Sequence, residues 1–363
     1  MRTRYFVVPE RAHNALIGEA FSRKGFEASE VGDIVRACAD AARHGIRTHH
    51  GLKALHLDHL FGSSKGGCVP RAKIEEMPSR FKATQVWDAH RKAGPPVAYQ
   101  AIERCIELAE QFGIAMVNVD NAFHYFWGGA YVLEAARRGY IAYTQCTALL
   151  AEVVPHGGRT PTLGTNPHTW GFPTNEIVGF PILVDFATSG VAMGRVQQLL
   201  REGQRLPAGM ALDAEGRPTE DPAQVAALLP FGAHKGYGLG LVNELMAAYT
   251  GGHLPTVRGR PRTGAKKNTT CFQFVVIHPD AMRGGELADR KAVDQNVKEV
   301  IGDVLGNGNE SCLLPGEIEA KVAARCAAAG GLLFTEVETN AFGDIARGLG
   351  MEWVVENFGT VEI

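Results

Sequence analysis

Ile114-Ala115-Met116-Val117-Asn118-Val119 is a short apolar run that follows directly on a helical pattern over 97–112. Too short for a helix, it reads as a buried strand behind that helix. The same texture continues towards the C-terminus. A helix over 129–138 precedes a strand at 140–144, and a further strand spans 180–186. Helices at 191–201 and 236–249 lead to a strand at 271–277. Helices at 289–305 and 316–329, a short strand at 332–334 and a last helix at 340–349 complete the chain. Alternation of this kind predicts helices layered on a sheet, the α/β class. Two proline-bearing loops, 155–181 and 205–230, are longer than plain connections need, and loops of that size usually carry function or form subdomains.

Upstream of this body the sequence reads as helical. Pro9 opens a segment with Ala12, Leu16, Ile17 and Phe21 at helical spacing, ending near Gly25. Ser29 reads as the N-cap of a second helix, with Glu30 and Asp33 favouring its dipole. Val31, Ile34, Val35, Cys38 and Ala42 form the apolar stripe of that helix, which stops near Gly45. A third segment covers 51–60, and the glycine-rich stretch 61–70 is a domain boundary by composition.

Composition excludes several classes. With 363 residues, 45% hydrophobic and 21% charged, the chain is globular and long enough for two domains. Lys and Arg number 37 against 39 acidic residues, so no general attraction to nucleic acid or an anionic membrane is expected. The longest apolar stretch, 180–194, is interrupted by Asp185 and too short to span a bilayer. Residues 1–9 hold two arginines but an apolar stretch too short for a signal peptide. Seven scattered cysteines, none in a Cys-x-x-Cys pair, predict a reduced, cytoplasmic chain without a disulfide framework.

Five of the thirteen histidines (His44, His49, His50, His56, His59) fall in one short segment. His56-Leu57-Asp58-His59 invites a metal reading, but no second cluster completes a site, so no metal is expected. Lys235-Gly236-Tyr237-Gly238-Leu239-Gly240 resembles a dinucleotide fingerprint only superficially, lacking the third glycine at the right spacing and a strand before it. A helix N-terminus with Lys235 beside it still suits a phosphate. No P-loop or nucleophile elbow is present. Three stretches stand out: Thr48-His49-His50-Gly51, then Asp120-Asn121-Ala122-Phe123-His124 after a strand end, and 163–190 with Val184-Asp185-Phe186-Ala187-Thr188. Asp185 either caps the following helix or meets His50 or His124, in which case the pair has general acid–base logic.

Taken in chain order, these stretches resemble the type-2 malate/L-lactate dehydrogenase family, which includes ureidoglycolate dehydrogenase, sulfolactate dehydrogenase, diketogulonate reductase and the piperideine- and pyrroline-2-carboxylate reductases. The matching segments are His49-His50-Gly51, Asn121-Ala122-Phe123-His124, Pro155-His156-Gly157-Gly158, Leu163-Gly164-Thr165-Asn166-Pro167 and Val184-Asp185-Phe186-Ala187-Thr188-Ser189. Leu206-Pro207-Ala208-Gly209, Lys235-Gly236-Tyr237-Gly238-Leu239 and Pro315-Gly316-Glu317 follow, so the resemblance covers roughly 40–320.

The resemblance implies an α/β, non-Rossmann mixed-sheet cofactor domain with a helical domain formed from both chain ends. On this sequence those are 76–309, with a helical insertion near 190–250, and 1–75 plus 310–363 for substrate and dimer contacts. It implies hydride transfer between NAD or NADP and a small 2-oxo or 2-hydroxy acid or a cyclic imino acid, in a cytoplasmic homodimer. By family position His50 and His124 are the candidate acids, His50 being favoured with His124 polarising the substrate. Asp185 is counted with them as catalytic. His124, Thr165, Asp185, Phe186, Ala187, Thr188, His234, Lys235, Pro315, Gly316 and Glu317 match cofactor contacts, and His49, Lys53 and Arg47 are the expected substrate contacts. The family's Ser-His-Gly-x-x-Arg reads His49-His50-Gly51-Leu52-Lys53-Ala54, so its carboxylate-clamping arginine is Ala54. The tyrosine four positions on is Asp58, and the Thr-Asn-Ser triplet is Cys146-Thr147-Ala148. Two other readings accommodate these departures: a catalytically silent member that binds cofactor or metabolite, and a metal-dependent hydrolase built on the His-rich segment.

Overall fold

The computed structural model describes residues 4–251, 269–282 and 293–362. The strand expected at 114–119 is β4 (Ile114–Ala122), inside a seven-stranded sheet. Its neighbours, in spatial order, are β2 (Glu75–Met77), β3 (Thr84–Asp88), β4 itself, β11 (Thr270–Ile277), β5 (Ile141–Cys146), β6 (His168–Phe172) and β7 (Ile182–Phe186). β3 and β4 run parallel, joined by α4 (Gly94–Phe112), and every other pair is antiparallel. The fold is therefore α/β with a mixed sheet.

The pleat gives the sheet two different faces. Ala115, Val117 and Val119 on β4 and Phe272, Phe274 and Val276 on β11 are buried in alternation. α4 packs on both strands, and α5 (Gly129–Arg137) packs on β5 and β6. The other face carries a buried polar ladder: Gln145 Nε2 donates to Gln273 Oε1 (3.1 Å), and Gln273 Nε2 donates to Asn118 Oδ1 (2.7 Å). Each amide is satisfied by the next strand, which offsets the cost of burying it.

Both chain ends meet in a second sheet, where β1 (Arg4–Val8) lies between β12 (Leu332–Phe334) and β13 (Gly359–Glu362). Sequence reading found no strand at 4–8, because a five-residue strand whose partners lie at the far end of the chain has no local signature. α1 (Glu10–Ser22), α2 (Ala28–Arg43), α3 (Gly51–Phe61) and α11 (Glu336–Gly348) gather around this sheet, and α2 also packs on α4 and α5. The expected cap at Ser29 is corrected. α2 starts at Ala28 after Glu27, whose N–H donates to Glu30 Oε2 (3.1 Å). Glu30 is buried, pairs with Lys92 and accepts from Arg71 N, and this anchoring moves the helix start upstream.

Neither long loop is unstructured. The first contains β6 and the one-turn α6 (Asn175–Val178). The second folds into a small sheet of β8 (Ala211–Leu212), β9 (Pro218–Thr219) and β10 (Ala227–Leu228). That sheet shares a separate core of Val153, Leu163, Leu206 and Leu228 with Val196 and Leu199 of α7 (Met193–Arg201). α8 (His234–Thr250), α9 (Val293–Leu305) and α10 (Glu317–Ala329) complete the chain. The first four positions of the helix expected from 289 lie outside the described residues, and the last helix begins at Glu336 behind a Thr335–Glu338 capping box, not at 340. No helix among the described residues is long and apolar enough to cross a membrane.

Candidate functional site

β4 delivers His124 just past its C-terminal end. The chain turns there through Phe126, which is held at a φ of +67°, a conformation disfavoured for a residue with a Cβ. The turn brings Phe126 N–H onto His124 Nδ1 at 2.8 Å. An accepting Nδ1 leaves the neutral ring's proton on Nε2, so the free nitrogen of His124 is a hydrogen-bond donor. Burial holds its pKa well below the usual histidine value, with His49 and Lys53 adding to the effect. Gly94, opening α4, fits beneath this turn because it has no Cβ; one built there would lie 2.4 Å from the His124 carbonyl.

The edge strand β7 supplies Asp185. Its register places Thr169 of β6 directly opposite, and Thr169 Oγ1 donates to Asp185 Oδ1 at 2.7 Å. Trp127 Nε1 donates to Oδ2 at 2.9 Å. The carboxylate therefore engages a threonine and an indole, and no hydrogen bond joins it to His50 or His124. Its surroundings raise its pKa, and the two donors act in the opposite sense.

The start of α3 separates two adjacent histidines. The His49 ring stacks on His124, with 5.8 Å between centroids and 23° between planes. His49 Nδ1 lies 2.8 Å from Thr48 Oγ1, and burial lowers its pKa to about 3. His50 points the other way, is 3% exposed and packs against Phe334 and Phe342. It caps α3, accepting from Leu52 N, and its Nε2 lies 3.2 Å from Glu338 Oε1. Arg47 is also tied to Glu338, which accepts from both its Nε and its terminal nitrogen.

One cavity of about 270 Å³ collects His49, Lys53, His124, Thr165, Asp185, Phe186 and Ala187. His50 and Arg47 do not line it. They border an adjoining cavity of about 480 Å³, which meets the first at Thr48, Lys53 and Gly194. Lys53 faces both cavities, and no hydrogen bond or ion pair to its ammonium occurs among the described residues. Burial lowers its pKa below the ordinary lysine value, against the attraction of Glu152.

The remaining expected contacts lie around this centre. Thr188 is buried, its hydroxyl donating to Thr165 O. Phe186 and Ala187 also border an open groove that runs past Val191 to Phe231. Phe231 O accepts from Gly236 N in the first turn of α8, where His234 and Lys235 are exposed. Pro315 O accepts from Leu183 N on β7, and Gly316 borders a third cavity with His44, Arg137 and Glu319. Glu317 pairs with Lys321 and accepts from Leu314 N. Asp58 of the His-rich segment is consumed by Lys24 and by the backbone and hydroxyl of Ser63, so it is not free to ligate. Among the described residues no group of His, Cys, Asp and Glu could hold a metal ion.

This chain matches the family described as malate/L-lactate dehydrogenase over residues 8–340. The chain belongs to the malate/L-lactate dehydrogenase family. It is an NAD(P)-dependent oxidoreductase of that family. It is 33% identical over 290 residues to a Delta(1)-pyrroline-2-carboxylate/Delta(1)-piperideine-2-carboxylate reductase of Pseudomonas putida, covering 78% of this chain and 83% of that one. It is 34% identical over 241 residues to an L-sulfolactate dehydrogenase of Methanocaldococcus jannaschii, covering 66% of this chain and 68% of the relative. The crystal structure of delta1-piperideine-2-carboxylate reductase from Pseudomonas syringae pv. tomato superposes with a TM-score of 0.80 at 29% identity, covering 94% of this chain and 99% of that one. The malate/L-lactate dehydrogenase fold accounts for the missing dinucleotide fingerprint.

Sequence reading missed Trp127, Thr169 and Glu338. Trp127 follows His124 in an aromatic run that was available as a signal. The only local signal at Glu338 is the Thr-x-x-Glu pattern of a capping box, which says nothing of its partner His50, 288 positions away.

Proposed function

We propose that this enzyme reduces a small 2-oxo acid or cyclic imino acid in the cavity shared by His49, His124 and Lys53. The observation that carries the reading is the unpaired Lys53 ammonium beside two neutral imidazoles. A buried cation without a partner is costly, and a substrate carboxylate relieves that cost. Ala54, standing where the family places arginine, is fully buried in α3, so Lys53 takes over the anchoring role.

The residues present fit a nicotinamide coenzyme, NAD or NADP. Phe186 and Ala187 offer an apolar wall, and Asp185 and Thr165 offer polar groups at the inner end. No side chain caps α8, and although Lys235 N and Gly236 N already donate to Gly232 O and Phe231 O, the exposed Lys235 ammonium is available to a phosphate at the outer end of the groove. When bound, the reduced coenzyme supplies a hydride from C4 of its nicotinamide.

This chain's residues do the rest. A 2-oxo acid presents a carboxylate oxygen and the keto oxygen side by side, and the Lys53 ammonium reaches both. His124 Nε2–H donates to the same keto oxygen, and its ring stays neutral because Nδ1 is occupied by Phe126 N–H. As the C=O bond takes up the hydride at carbon, its electron pair moves to oxygen and Lys53 releases a proton there. The amine is reprotonated from water on its second-cavity side. His50 and Glu338 hold the Arg47–His50 turn that carries Thr48 and His49, so His50 positions the site without touching substrate.

We also assign the enzyme to a cytoplasmic homodimer, with domains 1–75 plus 310–363 and 76–309. Support for the homodimer comes from α8, whose inner face is the polar pair Asn243 and Glu244 while Leu241, Val242, Leu245 and Tyr249 are exposed. A helix with its apolar face outward is expected to be covered by a second copy. Light scattering reads this directly: a dimer in the wild type and a monomer in Leu245→Glu.

Oxidation of NADH and of NADPH, each with 2-oxo acids, cyclic imino acids and carboxylate-free carbonyls, tests the function. Turnover of carboxylate-bearing substrates alone is expected. Turnover confined to carbonyls without a carboxylate refutes the Lys53 anchor.

A further inference from the structure

Backbone strain is concentrated around the turn that carries His124. Five of the eight non-glycine residues with a positive φ among the described residues lie in or against the loops that support it: Arg71, His90, Arg91, Asn121 and Phe126. Such conformations persist where neighbouring contacts over-determine them, and they gather where geometry matters to function. β3 and β4 run parallel, so residues 89–93 leave the sheet beside the stretch that leads to His124. Ala89 N donates to Asp120 O (3.0 Å), Arg91 N to Asn121 O (2.6 Å) and Phe123 N to Lys92 O (2.9 Å). Asn121 Nδ2 donates to Asp88 Oδ1 at 2.8 Å. Two residues past Lys92, Gly94 lies against the His124 carbonyl.

Lys92 also reaches into the N-terminal helical layer. Its ammonium pairs with Glu30 of α2 and donates to Ala72 O at 2.8 Å. Glu30 accepts in addition from Glu27 N (3.1 Å) and Arg71 N (2.9 Å). The preceding residue is tied as well: Val69 N donates to Arg91 O at 2.8 Å, and the Arg91 guanidinium donates to Gly66 O at 2.7 Å. Lys92 is 5% exposed and Glu30 1%, so both charges are taken out of water. A buried ion pair is a weak source of stability, because well-packed neutral groups of similar volume do as well or better. What the pair does fix is place, since the ammonium is held between acceptors on two separate segments. Neither residue lines the cavity that holds His124.

We infer that Glu30 and Lys92 are positioning residues for the reaction. Their ion pair locks residues 89–93 between α2 and the end of β4, and so sets the turn from which His124 Nε2–H reaches the reacting oxygen. This role rests on the reading of His124 as a donor to substrate and deepens it, by adding a pair outside the cavity that acts through that ring.

The test uses Glu30→Gln/Lys92→Met, which leaves no lone buried charge, in the wild-type and His124→Gln backgrounds. Four quantities are read: the urea midpoint, kcat, the coenzyme dissociation constant and the nitrogen NMR signals of the His124 ring, assigned by their loss in His124→Gln. The midpoint is expected to stay close to wild type, as for other buried pairs replaced together. The coenzyme constant stays within a few-fold, while kcat falls by about 10–100-fold, the scale of a small misplacement at the reacting centre. The His124 ring signals move. In the His124→Gln background the same two substitutions cost less than about twofold more, because a positioning residue and the residue it positions do not act additively. An unchanged kcat, losses that multiply in the combined variant, or unmoved ring signals overturn the positioning role and leave the pair to the fold alone. If His124→Gln itself turns over at the wild-type rate, the donor reading fails instead, and the ring signals alone decide whether the pair places His124. If the double variant shows no cooperative urea transition, Glu30→Asp replaces it, keeping both charges and drawing the carboxylate back by one methylene. A lower kcat with moved ring signals then supports the role, and both unchanged overturn it.

Discussion

The imidazole rings of His49 and His124 lie face to face, 5.8 Å apart, although one stands before α3 and the other beyond the end of β4. Burial lowers the pKa of both, and in the proposed mechanism the neutral pair offers hydrogen bonds to the reacting oxygen while Lys53 delivers the proton. In this arrangement the order of the two adjacent histidines matters: His49 enters the cavity and His50 anchors the turn.

If Lys53 is the anchor and proton source, the reductive kcat/KM falls as pH rises through its pKa, which burial places below the ordinary lysine value of 10.5. The active form is the protonated one, so the loss is on the alkaline side. Lys53→Gln removes that limb and lowers the plateau by about 10²–10⁴-fold. A pH–rate profile of wild type against variant measures both.

Glu338 takes hydrogen bonds from Arg47 and Thr335 and faces His50, so Glu338→Ala leaves several donors without an acceptor. A destabilisation of about 1–3 kcal/mol is expected from denaturant titration. His50→Gln is expected to lower kcat while the pH profile keeps its shape, because a positioning residue contributes no titration. A profile that changes shape in this variant returns His50 to the role of acid.

Asp185→Asn keeps an acceptor for only one of its two donors, Thr169 Oγ1 and Trp127 Nε1, and removes the charge beside the coenzyme wall. Coenzyme binding is expected to weaken by about tenfold, on the scale of one charged hydrogen bond. The dissociation constants from titration of each protein with NADH and with NADPH, followed by nucleotide fluorescence, report it.

Acid stability follows from the histidines. His13, His44, His49, His50 and His124 are all lowered from 6.5, in each case chiefly by burial. Below that value the unfolded chain binds protons that the native rings refuse. Their contribution is therefore complete above pH 6.5 and is lost progressively as pH falls, for His49 down to about 3. Urea midpoints measured from neutral to acid pH are expected to decline from about that pH, and His49→Gln to flatten part of the decline.

The sequence made the sheet legible where strands are apolar and central. β4 and β11 announce themselves because both bury Val and Phe in alternation beneath α4. β6 did not, since His168-Thr169-Trp170-Gly171-Phe172 lies in a Pro-rich stretch and its side chains serve Asp185 and Phe186, not a core. β1 and β13 escaped because their pairing joins opposite ends of the chain, β1 bonding to both β12 and β13. At the site, the residue types at His49, Lys53, His124 and Asp185 were readable. Which of two neighbouring histidines faces inward depends on Glu338 and Phe334, contributed by the far end of the chain.

His124→Gln tests the central claim most directly, because glutamine removes the ring while leaving a polar side chain. Steady-state reduction of the best oxo or imino acid is expected to fall by about 10²–10³-fold in kcat, the scale of one lost donor to a developing oxyanion. The coenzyme dissociation constant is expected to stay within a few-fold of the wild type. A variant that turns over at close to the wild-type rate would contradict the account, since hydride transfer would then take place without the residue around which the cavity is built.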